Sequence, residues 1–167
     1  MLMPASLWSQ ESGAVGFSSE KDDWETPQDF YDALDEAYGF TLDPCASLLT
    51  AKCQKYYTEA DNGLEKDWEG HTVFMNPPYG REIKRWIQKA YEESCKTNTK
   101  VVCLIPARTD TKYWHEYCMR ADRIYFVKGR LKFSGSKTAC PFPSAVIVFG
   151  EAKQPEICAM TSGGKVV

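Results

Sequence analysis

Between Thr26 and Phe149 the chain alternates between two hydrophobic patterns, and this alternation constrains the fold more than any other feature. Apolar residues recurring at helical spacing mark amphipathic helices, and short unbroken apolar runs mark buried strands. "TPQDFYDALDEAYG" predicts the first helix. Thr26 is the expected N-cap and Pro27 the first helical residue, where a missing N–H is harmless. Phe30, Ala33, Leu34, Ala37 and Tyr38 form its apolar stripe, and Gly39 suits a left-handed end. "REIKRWIQKAYEES" predicts a second helix with Ile83, Trp86, Ile87, Ala90 and Tyr91 on its buried face. "TDTKYWHEYCMR" predicts a third, capped by Asp110 or Thr111. The expected strands are "FTLD", "TVFM", "KVVCLI", "RIYFV", "RLKF" and "SAVIVF". Strands alternating with helices predict a three-layer α/β domain with a mostly parallel sheet. The closely spaced last strands, broken by Gly129 and Gly135, predict an antiparallel hairpin near the C-terminus. Ligands of such sheets sit beyond the carboxyl ends of the parallel strands. Asp43, Asn76 and Pro106 each follow a strand and are therefore placed on one rim.

The 167 residues suit one domain, expected over 22–150, with a flexible arm at 1–21 and a loosely ordered tail at 151–167. Hydrophobic residues at 43% and charged residues at 26% allow a core that needs no staples. The seven cysteines are odd in number and lack Cys-x-x-Cys spacing, and there are only two histidines, so no zinc site has a template. Reduced thiols in a cytoplasmic protein are the plain reading. The longest apolar runs are too short to span a membrane, and the N-terminus lacks the pattern of a secretory signal. A net charge of −3 gives no support to non-specific nucleic-acid binding. The basic clusters "REIKRW" and "KGRLKFSGSK" read singly as solvated faces.

The strand "TVFM" ends in Asn76-Pro77-Pro78-Tyr79 rather than in an ordinary turn. The prolines fix φ and restrict the residue before each of them, so the backbone is stiff and its carbonyls are pre-aimed. Asn76 offers an amide oxygen, and Tyr79 offers a flat face. Together they can hold a planar group bearing an exocyclic amine: two acceptors take its hydrogens and the ring stacks. Polarising the amine in this way makes its lone pair available without a strong base. A nucleobase has to leave its duplex to reach such a pocket. The competing reading of the tetrapeptide is a rigid turn.

Asn-Pro-Pro-Tyr after an apolar strand resembles the signature of S-adenosylmethionine-dependent amino methyltransferases. The segments "WETPQDFYDALDEAYGFTLDPCAS", "YYTEADNGLEKDW", "VFMNPPYG", "LIPARTDTKYWH", "GRLKF" and "FPSAVIVF" resemble, in order, those of small phage-type DNA N6-adenine methyltransferases of the Dam family. They run from Trp24 to Phe149. The resemblance implies a Rossmann-like methyltransferase fold, S-adenosyl-L-methionine as cofactor, double-stranded DNA with a flipped adenine as substrate, and a phage or prophage enzyme in a bacterial cytoplasm. It implies that Asn76, Pro77, Pro78 and Tyr79 are catalytic. It places Trp24, Thr26, Pro27, Asp43, Ala46 and Asp61 about the cofactor, and Phe133 on the base opposite Tyr79. Arg108, Lys112, Arg130, Lys132 and Lys137 are the candidates for phosphate contact.

Two features depart from the pattern. "DPCAS" stands where a Gly-x-Gly loop is common, and there is little room for a separate target-recognition domain, so sequence choice falls to loops 107–112 and 134–143. Several residues keep bland readings. Asp43 before Pro44 suits a turn, Thr26-Pro27 starts a helix in any case, and Asp61 and Asp67 suit a solvated loop. Phe133 suits a core, and Trp86 and Tyr91 belong to one. The alternative functions are methylation of cytosine N4, RNA or protein glutamine, a DNA-binding relic without catalysis, and a small interaction domain.

Overall fold

The computed structural model describes residues 24–151 and 155–167. The arm expected over 1–21 lies outside the described residues. The helix α1 spans Gln28–Tyr38. Pro27 (φ −57°, ψ 139°) is its N-cap instead of its first helical residue, and no side chain caps the helix. The Thr26 hydroxyl expected there bonds Asn76 instead. Gly39 ends the helix at φ 69°, donating its N–H to the Asp35 carbonyl. Phe30, Tyr31 and Leu34 are the buried face, while Ala37 is exposed. Tyr31 takes the place expected of Ala37 because its ring packs edge-on against Phe74 of the sheet, with centroids 5.0 Å apart.

The remaining elements are β1 (Thr72–Met75), α2 (Ile83–Ser94), β2 (Lys100–Pro106), α3 (Lys112–Glu116), β3 (Arg123–Lys128), β4 (Ser144–Phe149) and β5 (Glu156–Thr161). They form one sheet in the order β1-β2-β4-β3-β5. β1–β2 and β3–β5 pair parallel, and β2–β4 and β3–β4 pair antiparallel. The sheet is therefore mixed, where a mostly parallel one was expected. The connection 129–143 carries no helix to bring the chain back in the parallel sense, so β4 returns antiparallel and inserts between β2 and β3.

Three local expectations change. "FTLD" reduces to isolated parallel bridges, Leu42 with Val73 and Asp43 with Tyr56. "RLKF" is loop: Leu131 and Phe133 are buried, but no neighbouring strand pairs with them. The third helix keeps only Lys112–Glu116, followed by a 3-10 turn at Cys118–Arg120. Conversely, the expected tail contains β5, which pairs with β3 from Arg123↔Glu156 to Lys128↔Thr161.

Register defines the two faces of the sheet. Phe74, Val102 and Val148 lie opposite one another, as do Leu104, Val146 and Tyr125. α1 covers this face through Tyr31 on Phe74 and a 3.1 Å hydrogen bond between the Tyr38 and Tyr125 hydroxyls. The other face carries Phe149 and Phe126, covered by Tyr91 of α2 and Trp114 of α3. The three layers follow from these contacts.

Candidate active site

The rim is built by strand direction. The parallel β1–β2 pair and the parallel Leu42–Val73 bridge bring Asp43, Asn76 and Pro106 to one edge of the sheet. β4 runs the other way and therefore contributes its first residue, Ser144, opposite Pro106.

Asn76 is fixed in one orientation. Its Nδ2 donates to the Trp24 carbonyl and, at 3.0 Å, to the Thr26 hydroxyl. A carbonyl only accepts, so the amide nitrogen has to face Trp24 and the oxygen faces away. That oxygen is buried and has no hydrogen-bond partner among the described residues. The sequence placed Thr26 beside a cofactor, and the structure gives its hydroxyl to the orientation of Asn76. Pro77 is buried and Pro78 half-buried, holding the strand end rigid.

Four aromatic rings gather next to this amide. Tyr79 lies 5.5 Å from Phe142 and 6.2 Å from Phe133, edge-on to both. Trp24 lies 5.3 Å from Phe133 and 5.3 Å from Phe142. Tyr79 is buried, its hydroxyl donating to the Leu104 carbonyl at 3.3 Å, and burial holds that hydroxyl protonated well beyond the usual range. Phe133 is only 1% exposed. It backs the cluster instead of presenting a face, whereas Trp24 and Phe142 are half-buried and form the outer wall. Sequence reasoning missed Phe142. Its signal was the flanking pair Pro141 and Pro143, the same stiffening that singles out Asn76.

Asp43 is buried, and its carboxylate accepts the backbone N–H groups of Cys45 (3.4 Å) and Lys52 (3.2 Å). Burial nevertheless pushes its pKa up to about 6. Asp43 thus closes the 43–52 turn, as its bland reading required, and adds a buried acid to the rim. Ala46 is buried and its N–H donates to the Tyr57 carbonyl at 3.0 Å. Cys45, also unforeseen, sits beside the Asn76 backbone N–H; burial raises its thiol and that N–H opposes the rise. Lys52 reaches back to Gln28 (3.1 Å) and Glu25 (3.5 Å), tying this turn to the start of α1. Asp61 is exposed. It accepts the N–H and hydroxyl of Thr58 in a capping box, which holds its carboxyl below the usual range.

Arg108, Lys112, Arg130, Lys132 and Lys137 are all exposed. Lys112 pairs with Glu116 at 3.3 Å, and the other four make no ion pair among the described residues. A shallow cleft of about 450 Å³, bordered by Tyr91, Cys95, Arg120 and Phe149, opens at the opposite edge of the sheet from Asn76. No metal-binding cluster and no helix long and apolar enough to cross a membrane occur among the described residues. The seven cysteines are free thiols.

The family model for DNA N-6-adenine-methyltransferase (Dam) matches residues 15–162. A DNA N-6-adenine-methyltransferase of Haemophilus phage HP1 (strain HP1c1) is 31% identical over 124 residues, covering 72% of this chain and 70% of the relative. One of Escherichia phage T1 is 31% identical over 113 residues, covering 66% of this chain and 47% of the relative.

Proposed function

The chain belongs to the DNA N-6-adenine-methyltransferase (Dam) family, and from that premise we propose that it transfers a methyl group to the N6 amine of an adenine flipped out of double-stranded DNA. The supporting observation is the Asn76 oxygen, buried, without a partner and held by a proline-stiffened strand end. An acceptor in that state is complementary to an amine hydrogen that arrives with the substrate. The three-layer sheet then reads as a Rossmann-like methyltransferase fold carrying its chemistry at one rim.

The residues at the rim fit S-adenosyl-L-methionine, a donor bearing a sulfonium cation. They pair an orphaned acceptor with a buried carboxylate, that of Asp43. When bound, the cofactor supplies the methyl group. Trp24, Thr26, Pro27, Asp43 and Ala46 are the residues assigned to hold it; Asp61, occupied in its capping box, is assigned only the outer edge. Asn76 accepts one hydrogen of the amine, and a carbonyl preceding one of the prolines accepts the other. The nitrogen lone pair is then held in line, and positioning and acceptor polarisation provide most of the rate.

Phe142 stands nearly perpendicular to Tyr79 with centroids 5.5 Å apart, and is assigned the wall beside which the base stacks on Tyr79. Phe133 supports both rings from behind. Base–aromatic stacking contributes roughly 1–3 kcal/mol toward the extrusion of the base. The basic side chains at 108, 112, 130, 132 and 137 are assigned to phosphates, and the setting is a bacterial cytoplasm.

The test is to incubate the protein with S-adenosylmethionine and unmethylated plasmid, digest the DNA to nucleosides and analyse them by mass spectrometry. N6-methyl-2′-deoxyadenosine is the expected product. N4-methyl-2′-deoxycytidine in its place, or no methylated nucleoside despite cofactor binding, overturns the assignment.

A further inference from the structure

We propose that Ser144 reads the target base, its hydroxyl donating a hydrogen bond to a ring nitrogen that flanks the adenine amine. This rests on the adenine-methylating function above and deepens it.

Ser144 is 2% exposed, and its Oγ has no hydrogen-bond partner among the described residues. A buried hydroxyl left unpaired is unfavourable, and natural interiors satisfy nearly all of them. Its position identifies the missing partner. Ser144 opens β4 and pairs with Pro106 at the end of β2. Along β4 it alternates with Val146 and Val148, so it lies on the face shared with Phe74 and covered by α1. Asn76 lies on the same face, as its bonds to the segment leading into α1 show. The two orphaned polar atoms therefore belong to one side of one rim. The segment before Ser144 is fixed: Pro143 gives its carbonyl to the Ala107 N–H at 2.8 Å, and Phe142 packs on Trp24 and Tyr79. Ser144 thus stands two residues from the wall of the aromatic cluster.

The pair of orphans has a meaning in base chemistry. Asn76 Oδ1 only accepts, and the Ser144 hydroxyl can donate. Adenine presents a donating amine beside the acceptor nitrogens N1 and N7. Guanine and thymine present a carbonyl where adenine has its amine, so the Asn76 oxygen would meet a second acceptor; the Ser144 hydroxyl, which can also accept, adds affinity for adenine and leaves their rejection to Asn76. Cytosine shares the pattern, and the size of the aromatic enclosure is left to separate it from adenine.

The test uses duplexes carrying the methylated sequence found in the plasmid assay, with the target adenine replaced by 1-deazaadenine or 7-deazaadenine. Wild type and Ser144→Ala are compared by kcat/KM, with thermal unfolding alongside. Wild type is expected to lose about tenfold on one analogue, the factor of a single hydrogen bond. Ser144→Ala is expected to lose about tenfold on adenine, to lose nothing further on that analogue, and to unfold at or above the wild-type temperature. Wild-type indifference to both analogues, a variant as active as wild type on adenine, or a variant that still discriminates against the analogue would each overturn the role of Ser144 while leaving adenine methylation standing. Absence of N6-methyl-2′-deoxyadenosine from the wild-type reaction would instead refute the function on which the role rests.

Discussion

Asn76 is held by a carbonyl and a hydroxyl from the chain that leads into α1, and both bonds serve to point its oxygen. If the Asn76 oxygen receives the amine as proposed, Thr26 acts through Asn76 as a positioning residue. Thr26→Val keeps the shape, leaves the already uncapped helix start unchanged, and removes one of the two anchors. We expect kcat to fall about tenfold with the unfolding temperature nearly unchanged, the loss of one hydrogen bond of roughly 0.5–1.5 kcal/mol; steady-state kinetics and thermal melts check it. Asp43 adds a pH signature. Its carboxyl titrates at about 6 in the folded chain against 3.8 ordinarily, so the folded state binds this proton more tightly than the unfolded state. Its contribution is most favourable below pH 3.8 and is lost as pH rises through about 6, by about 3 kcal/mol at most. Urea unfolding of wild type and Asp43→Asn at pH 4 and pH 7 should show wild type losing stability relative to the variant at the higher pH. The tetrapeptide was legible because two prolines after an apolar run have few uses. The hydrogen bond of Thr26 to Asn76 and the depth of Phe133 were not: a cap and an orienting hydroxyl look alike in sequence, and a lone aromatic in a loop carries no periodicity to show its depth.

At the scale of elements, helical spacing read well wherever one face met the sheet. In α2 the expected Ile83, Trp86, Ile87 and Ala90 are buried. The strands β1, β2 and β4 announced themselves as apolar runs. β5 did not, because "EICAMT" is half-exposed and owes its conformation to pairing with β3. Its Met160 is nonetheless buried, and Gly164, at φ 77°, itself lies so close to Phe30 and Ala33 of α1 that a Cβ there would clash. Ending the chain after Gly150 should therefore lower the unfolding temperature by many degrees and raise the tendency to self-associate, since the edge of β3 is then bare. Calorimetry and light scattering on the truncated chain test this. Unchanged melting would make β5 an ornament.

The whole molecule is acidic, yet Arg130 and Lys132 project from the loop that also supplies Phe133 and leads on to Phe142. Its acidity and its proposed affinity for DNA are reconciled if binding depends on a few local cations. Arg130→Ala/Lys132→Ala should then weaken DNA binding uniformly across sequences and reduce the slope of log K against log salt by about 2, as expected for two phosphate contacts. The mixed sheet has the same origin as this arrangement. A helix-less 129–143 connection forces β4 to run back toward the rim, and so places Phe142 and Ser144 beside Asn76's end of the sheet. The sequence showed an antiparallel element near the C-terminal end, and β3–β4 form it; it did not show that β4 inserts beside β2, because a strand's place in the sheet is decided by long-range pairing.

The proposed chemistry turns on the orphaned Asn76 oxygen receiving the amine. Single-turnover methyl transfer by Asn76→Ala, measured with cofactor affinity by calorimetry, tests it most directly. We expect a loss of roughly 10²–10³ in transfer rate, as for removal of a pre-placed polar group, with cofactor affinity changed no more than a few-fold. Transfer near the wild-type rate, or loss of cofactor binding in place of transfer, would contradict it.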